Sequence, residues 1–254
     1  MKNNEAATFW QHLDVLRWVI LRSLGVAVVF AVAAFCLKDW LFAVILAPRT
    51  SAFITFQWMG VEPFSVHLMN TGLTEQFMTH MRVAMYAGLL CAAPYIIFEL
   101  FRFVSPGLYQ NERRAGLWIV TSGYLMFMLG TLLNYFLIFP LTVRFLGTYQ
   151  VSPEVENMLT LQSYTDTLIS MSLVMGVVFE LPVICAILGR MGILTSSLMT
   201  RYRRHAIVAI LIVAAIITPT TDIFTLLIVS LPIWLLYEAS IFVVKSVKIV
   251  KSEG

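Results

Sequence analysis

Charged side chains are scarce in this chain. Of its 254 residues, 12% are Asp, Glu, Lys or Arg, which is about half the fraction found in a typical soluble domain. Apolar residues make up 59%, and the mean hydropathy is +0.85. The low charge excludes an ordinary soluble domain, and the long uncharged runs that accompany it indicate a membrane protein.

Recognisable catalytic and metal-binding patterns are also missing from the sequence. The four histidines lack the spacing of a zinc site, there is no Gly-rich phosphate loop, and no serine has a base placed near it. None of the three cysteines belongs to a CxxC pair, so we interpret them as small buried hydrophobic residues. The sequence therefore predicts no catalytic residues, no cofactor and no metal.

The uncharged runs predict an all-α polytopic fold, because a helix needs about 20 apolar residues to cross a bilayer. We interpret residues 1–254 as a single integral membrane domain with six transmembrane helices, of which the last two are short. The longest extramembrane segment, 38–76, is predicted to form a periplasmic cap with short helices. The predicted spans are 19–37, 80–101, 115–139, 164–188, 205–217 and 223–244.

The distribution of basic residues predicts the orientation of these helices. With six spans both termini lie on one side, and that side carries thirteen of the 17 Lys and Arg residues. The opposite side carries Lys38, Arg49, Arg82 and Arg144. Because cytoplasmic loops are enriched in Lys and Arg, both termini are predicted to be cytoplasmic. The net charge of +3 then reflects topology, and no nucleic-acid partner is expected.

Four residues are predicted to have structural roles on the outer side. Pro48 lies in the predicted cap, and Pro140 lies at the outer end of the third span. Glu75 and Arg82 are seven residues apart, which places them on one helix face two turns from each other. We expect these two side chains to pair at the outer membrane surface.

Glu180 stands in the middle of a predicted span and is closely followed by Pro182. A carboxylate at mid-bilayer costs about 2.5–3.5 kcal/mol on insertion scales. Glu180 is therefore expected to face the protein interior, a wet cavity or a partner, and an internal ion pair is the structural alternative. Near the inner end of the second span, Glu99 and Arg102 are three residues apart, and a local ion pair is expected there.

A short polar link at 103–114 joins two long apolar segments on the predicted cytoplasmic side. Its one acid, Glu112, stands beside Arg113 and Arg114. The residues alone support two roles for Glu112 equally. A negative charge at the start of the third span stabilises the helix dipole by about 0.3–1 kcal/mol, and a carboxylate at the membrane surface is also able to bind a positively charged partner.

Several short motifs follow one another along the chain. They are HLDVLR at 12–17, FVSPGLY at 103–109, ERR at 112–114, FP at 139–140, FELP at 179–182, and TP at 218–219 with Asp222. Each motif is weak alone. Their order and spacing, together with the predicted six-span topology, resemble the TatC family, whose members are the polytopic receptor subunits of the twin-arginine protein translocase. The resemblance covers nearly the whole chain.

The resemblance implies a translocase subunit and not an enzyme. Such a subunit binds twin-arginine signal peptides at its cytoplasmic face and organises TatA-like and TatB-like single-span partners in the bacterial plasma membrane. It helps to export folded proteins by using the proton-motive force. Other copies of the chain and membrane lipid are further expected partners.

The resemblance also implies two sites. Glu112 is the principal acid of a signal-peptide site, because two guanidinium groups favour carboxylates in a bidentate geometry that lysine does not reproduce. The other residues implied for this site are His12, Asp14, Val15, Leu16, Arg17, Phe103, Pro106, Leu108, Tyr109 and Arg113. The groove implied for TatA-like or TatB-like partners contains Glu180, Thr218, Pro219, Asp222 and Leu226.

Two positions depart from the family pattern. The glutamate that is usual at the fourth position of the first motif is Val15 here, and the nearest acid, Asp14, is about 100° away round a helix. We hypothesise that Asp14 partly replaces this glutamate, with weaker binding or looser selectivity. In the last span, Leu226 occupies the place of a glutamine that family members often carry a few residues after the aspartate, while Thr218, Thr220 and Thr221 remain available as polar groups.

Two other classes of function fit part of the sequence. An ion-coupled transporter of small solutes would use Glu180 as its proton site, but such folds are usually built from internal repeats, and the sequence has no visible repeat. An intramembrane enzyme would need a catalytic pair, which the sequence does not offer.

Overall fold

The computed structural model of the chain describes residues 2–104, 113–149, 152, 158–218 and 222–246. Side chains are described from residue 13 to 103 and, within the remaining ranges, from residue 119 onward. Helices dominate these ranges. The α-helices are α1 Lys2–Phe35, α2 Lys38–Leu46, α3 Ile54–Trp58, α4 Glu75–Val104, α5 Arg113–Leu133, α6 Phe139–Thr148, α7 Leu161–Phe179, α8 Leu181–Arg190, α9 Ser196–Arg201, α10 Arg203–Ile217 and α11 Ile223–Ser246.

Short elements of other types connect some of these helices. A 3₁₀ turn, Ala47–Arg49, follows α2, and a π-helical turn, Asn134–Ile138, joins α5 to α6 without a break. Two strands, β1 Leu68–Met69 and β2 Leu159–Thr160, pair in parallel, with Leu68 opposite Leu159.

Five helical segments within the described residues are long and apolar enough to cross a membrane. They are Leu13–Phe35, Glu75–Phe103, Ile119–Thr148, Leu161–Arg190 and Ile223–Ser246. The region predicted as a short fifth span, 205–217, lies within the 15-residue helix α10. At 1.5 Å per residue it is about 22 Å long, shorter than a hydrocarbon core of about 30 Å. The chain is a multi-pass membrane protein, and the count of six spans and the orientation of the termini stay predictions.

The contacts divide the chain into two compact units. The first unit contains Met1–Phe42 and His80–Tyr124, and the second contains Ala43–Thr79 and Leu125–Gly254. In the first unit α1 and α4 pack closely at Gly88, where a Cβ atom would lie 2.5 Å from the backbone nitrogen of Ala31. Small residues allow membrane helices to approach in this way.

The second unit has a core of side chains from α5 to α7 and α11. Ile138, Phe139, Met171, Met175 and Val229 are completely buried there. At Gly130 a Cβ atom would lie 2.5 Å from the Met175 carbonyl oxygen, and at Gly176 it would lie 2.7 Å from the Phe127 ring. The missing side chains of these two glycines therefore allow the close packing of α5 against α7.

Pro140 explains the irregular turn between α5 and α6. Proline has no N–H to donate to the carbonyl four residues earlier, so a helix that contains it leaves that carbonyl without its usual partner. Here that carbonyl belongs to Phe136, in the π-helical turn, and it accepts a hydrogen bond from the Thr55 hydroxyl instead. The buried Pro140 thereby connects the long helix to the segment predicted as the cap.

The segment 38–76 contains short helices, as its composition predicts. Pro48 is buried in the 3₁₀ turn. Just before this turn, the hydroxyl of Tyr135 donates to the Val44 carbonyl at 2.7 Å, and the hydroxyl of Tyr164 donates to the Ile45 carbonyl at 2.9 Å. These two bonds, from α7 and from the π-helical turn, fix the C-terminal half of α2 within the second unit.

Glu75, the first residue of α4, accepts four hydrogen bonds. Its Oε2 atom accepts from the backbone N–H of Thr71 at 2.8 Å, the backbone N–H of Gly72 at 3.0 Å and the Thr71 hydroxyl at 3.1 Å. Its Oε1 atom accepts from the backbone N–H of Gln162 at 3.0 Å. The side chain is 7% exposed. Glu75 therefore has a structural role as a buried crosslink, and its pairing with Arg82 stays a prediction.

Candidate functional site

The N-terminal part of the sequence-predicted peptide site lies on α1. Asp14, Val15 and Arg17 are exposed there, and Leu16 is half-buried. Phe103, from the second part of the site, is half-buried near the end of α4.

The rest of the predicted peptide site lies outside the described side chains. Glu112, Pro106, Leu108 and Tyr109 are outside the described residues altogether. His12 belongs to α1 and Arg113 begins α5, but neither side chain is described.

A pocket of about 320 Å³ in the first unit brings two of the predicted residues together. Val15 from α1 and Phe103 from α4 both line it, although they are far apart in the sequence. Asp14, Leu16 and Arg17 are not among the described residues that line this pocket. The complete lining is Val15, Trp18, Val19, Arg22, Glu99, Arg102 and Phe103. We call this cavity the α1–α4 pocket.

The acid in the α1–α4 pocket is Glu99, which is 4% exposed. Its Oε1 atom accepts a hydrogen bond from the Tyr95 hydroxyl at 3.0 Å, one helical turn earlier on α4. The sequence-based expectation of an ion pair between Glu99 and Arg102 is wrong within the described part of the chain. The Arg102 side chain is exposed while Glu99 is buried, and the tyrosine hydroxyl reaches the carboxylate.

Sequence reasoning missed Glu99 and the arginines as members of this site. A signal for them was present, because residues 15, 18, 19 and 22 form one face of a helix, as do 95, 99, 102 and 103. What the sequence lacked was the information that these two faces meet.

Glu180 lies at a break in the fourth long apolar segment. Helix α7 ends at Phe179 and α8 begins at Leu181, with Pro182 in its first turn. The Glu180 backbone remains helical, since its N–H donates to the Val177 carbonyl at 3.1 Å and its carbonyl accepts from Ile184 at 2.9 Å. Its Oε1 atom is buried and has no hydrogen-bond partner among the described residues. An internal ion pair for this oxygen is therefore not formed there.

A second polar group in the same unit was not predicted from the sequence. Asn134 is completely buried in the π-helical turn, and its Nδ2 atom donates to the Ser172 hydroxyl at 2.8 Å. Its Oδ1 atom has no partner within the described residues. π-Helical turns occur often at functional sites, but an isolated asparagine in an apolar run gives no sequence signal of such a turn.

The other residues of the predicted groove lie at the α10–α11 connection. Thr218 is 6% exposed and its hydroxyl contacts the Ala215 carbonyl at 3.5 Å. Asp222 accepts from the Thr225 backbone N–H at 2.7 Å, so it caps the first turn of α11. Leu226 is half-buried, and Pro219 lies outside the described residues.

Comparison with known proteins finds the family that the sequence motifs resemble, and the match covers nearly the whole chain. The sequence model of the family "Sec-independent protein translocase protein (TatC)" matches residues 11–232. The TatC protein of Desulforapulum autotrophicum is 33% identical over 240 residues, which are 94% of this chain and 85% of that protein. The TatC protein of Deinococcus radiodurans is 32% identical over 248 residues, 98% of this chain and 89% of that protein.

The chain belongs to the TatC family. A crystal structure of a twin-arginine translocase receptor, TatC, matches it with a TM-score of 0.76 and 28% sequence identity, covering 92% of this chain and 98% of that one. A second crystal structure, of a twin-arginine translocase receptor, TatC, in DDM, matches with a TM-score of 0.77 and 28% sequence identity, covering 91% of this chain and 98% of that one. The resemblance inferred from the motifs is thus confirmed, and TatC membership makes the chain a subunit of a Sec-independent protein translocase.

Proposed function

We propose that this chain is the receptor subunit that binds twin-arginine signal peptides at its cytoplasmic face. It has six spans with both termini in the cytoplasm. It organises TatA-like and TatB-like single-span partners, and the receptor and these partners together export folded proteins across the bacterial inner membrane by using the proton-motive force. Its family membership supports the role in transport.

The observation that carries the peptide-binding role is the α1–α4 pocket. The two segments assigned to the peptide site are far apart in the sequence, yet Val15 and Phe103 line one cavity. A peptide that lies across this cavity would contact both segments. The link that contains Glu112 follows Phe103 in the sequence, so a carboxylate is available for the two guanidinium groups.

The partner-binding role is supported by the surroundings of Glu180. A buried carboxylate oxygen without a hydrogen bond is costly, and the cost is recovered when a donor reaches it. A polar side chain on a partner's single transmembrane helix supplies such a donor. Glu180 would then attract the partner, and Thr218, Asp222 and Leu226 at the α10–α11 connection are proposed as further residues of the groove.

Binding of a labelled twin-arginine peptide to the purified protein in lipid nanodiscs tests the peptide-binding role. We expect Glu112→Gln to weaken binding at least about tenfold, because one hydrogen bond to a charged group is worth about 1.5–3 kcal/mol. Replacing both peptide arginines by lysine should have a similar effect. Glu62→Gln, an exposed acid in the cap segment, is the matched control.

Equal affinity for the arginine and lysine peptides would contradict the peptide-binding role. Proton-coupled uptake of a small solute into vesicles that contain this protein alone would favour the transporter instead. Labelling of cysteines placed near each terminus, in inverted and right-side-out vesicles, tests the proposed orientation.

A further inference from the structure

We propose that Glu99 is a second arginine-binding carboxylate and that the α1–α4 pocket receives one guanidinium group of the peptide. This inference rests on the proposed function, and it names a residue that the motifs did not indicate. It also assigns to Glu99 the task that the sequence suggested for Asp14.

The Glu99 carboxylate is buried and has one described hydrogen-bond partner. The side chain is 4% exposed, and among the described residues its one hydrogen-bond partner is the Tyr95 hydroxyl, which binds Oε1. The Oε2 atom therefore has capacity for the N–H groups of a ligand. Hydrogen bonds between guanidinium and carboxylate gain strength where the carboxylate is shielded from water, and Glu99 is buried.

The walls of the pocket are suited to the flat face of a guanidinium group. Val15 and Val19 come from α1, and Trp18 and Phe103 add two aromatic rings. Trp18 is 60% exposed, so its ring is available to a ligand that enters from the surface. Arginine stacks on aromatic rings more readily than lysine does, which adds to the preference for arginine that the bidentate geometry provides.

The size of the cavity limits what it holds. A volume of about 320 Å³ is near the lower end for ligand pockets. It accommodates one arginine side chain and not a folded segment of peptide. The second arginine of the pair would remain outside the pocket.

Two arginines of the α1–α4 pocket would favour a negatively charged ligand over an arginine side chain. Arg22 and Arg102 line the pocket and are both exposed. Their positive charge would attract the phosphate of a lipid headgroup. Burial decides between the two, because water and salt screen the exposed arginines more strongly than they screen Glu99.

Asp14 is less suited to the same task. Its side chain is exposed, and it is not among the described residues that line the pocket. Hydrogen bonds at an exposed site compete with water, so an acid at that position offers a weaker hold on arginine. Val15, the next residue, does face the pocket, so a carboxylate introduced there would reach the same space as Glu99.

Peptide binding in nanodiscs tests the proposal with four proteins: the wild type, Glu99→Gln, Glu99→Gln combined with Val15→Glu, and Asp39→Asn. Asp39 is an exposed acid at the start of α2, so its change to Asn alters the charge equally outside the pocket. We expect Glu99→Gln to weaken binding of the twin-arginine peptide about tenfold. The combined variant should regain most of that loss, and Asp39→Asn should bind like the wild type.

The outcomes separate this inference from the proposed function. If the wild type does not prefer the twin-arginine peptide to its lysine counterpart, the proposed function fails. If the wild type shows the preference and Glu99→Gln retains it in full, the function stands and the role of Glu99 is overturned. Failure of Val15→Glu to restore any binding would also overturn it, because the pocket would then not depend on its carboxylate.

A measurement on the wild type covers the case in which Glu99→Gln does not fold. A peptide with a photoreactive group beside its arginines should form crosslinks to Val15, Trp18 or Phe103, which mass spectrometry identifies. Crosslinks confined to residues outside the pocket would overturn the proposal. The purified wild type is also tested for bound phosphatidylglycerol. If the double variant Arg22→Gln and Arg102→Gln loses this lipid but binds the peptide like the wild type, the proposal is overturned, since the occupant of the pocket would then be a lipid.

Discussion

The carboxylates of Glu75 and Glu180 lie in the same compact unit but have opposite surroundings. Glu75 accepts four hydrogen bonds, three from the turn just before its helix and one from the distant Gln162. Glu180 has a buried Oε1 atom with no described partner, at the junction between α7 and α8. One acid is used to hold the fold together, and the other is left with an unmet requirement for a donor.

The difference shows why burial alone does not reveal the role of an acid in a membrane protein. A carboxylate whose lone pairs are all occupied contributes to stability, and its removal leaves several donors without partners. A carboxylate without partners costs stability, so a role in binding gives a reason for its presence. Substitutions that change the hydrogen bonding around each carboxylate therefore test this difference.

The largest expected effect is at Glu75. Glu75→Gln places an amide NH₂ group opposite backbone N–H donors, so we expect it to lower the free energy of unfolding by about 3 kcal/mol. Thermal unfolding in detergent measures this, with the exposed Glu62→Gln as the control. Equal stability of the two variants would mean that the four bonds around Glu75 contribute little.

The second largest effect is expected at Gly130, where α5 packs against the helix that ends just before Glu180. A Cβ atom at Gly130 would lie 2.5 Å from the Met175 carbonyl oxygen in α7, the helix that ends just before Glu180. We expect Gly130→Ala to destabilise the protein by about 2 kcal/mol through overpacking. Gly25→Ala is the matched control, because an added Cβ atom there meets nothing within 4 Å. A similar effect of both changes on unfolding would contradict the role of close helix packing.

Glu180→Gln should act in the direction opposite to Glu75→Gln. A neutral amide costs less to bury than a carboxylate without partners, so we expect stability to rise by about 1 kcal/mol. At the same time, crosslinking to a TatA-like helix should fall, because the attraction to a partner's polar side chain is weakened. Loss of stability without any change in crosslinking would assign Glu180 to the fold and not to the partner groove.

The smallest effect is expected at a third acid of the same unit. Glu238 forms an ion pair with Arg203 at 2.6 Å, and the two side chains are 20% and 47% exposed. Exposed pairs of this kind contribute about 0.2–1 kcal/mol. Glu238→Gln should therefore lower stability by about 0.5 kcal/mol, and the difference should shrink at high salt. A loss as large as that of Glu75→Gln would remove the distinction between buried and exposed acids.

Much of the architecture was predictable because hydropathy is a local property. The runs around residues 83–98 and 167–179 are helical as predicted, and the cap segment contains short helices. The region 205–217 was recognised as short from its sequence, and it forms a 15-residue helix. The motifs also identified the family, because their order along the chain carries information that no single motif has.

Contacts between distant residues were less predictable. The donor from Gln162 to Glu75 and the meeting of Val15 with Glu99 depend on how helices pack, and spacing along one helix does not contain that information. The expected pair of Glu99 with Arg102 failed for a local reason, since the hydroxyl of Tyr95, four residues earlier on the same helix, donates to the carboxylate instead.

The sequence by itself determined that this is a helical membrane protein of the TatC family, where its long helices lie, and which acids stand in costly places. These properties follow from composition and order along the chain. Only the tertiary structure decided which carboxylates have partners, because a hydrogen bond at Glu75 or a pocket around Glu99 requires segments from different parts of the chain to come together. The role of each acid is set by that meeting.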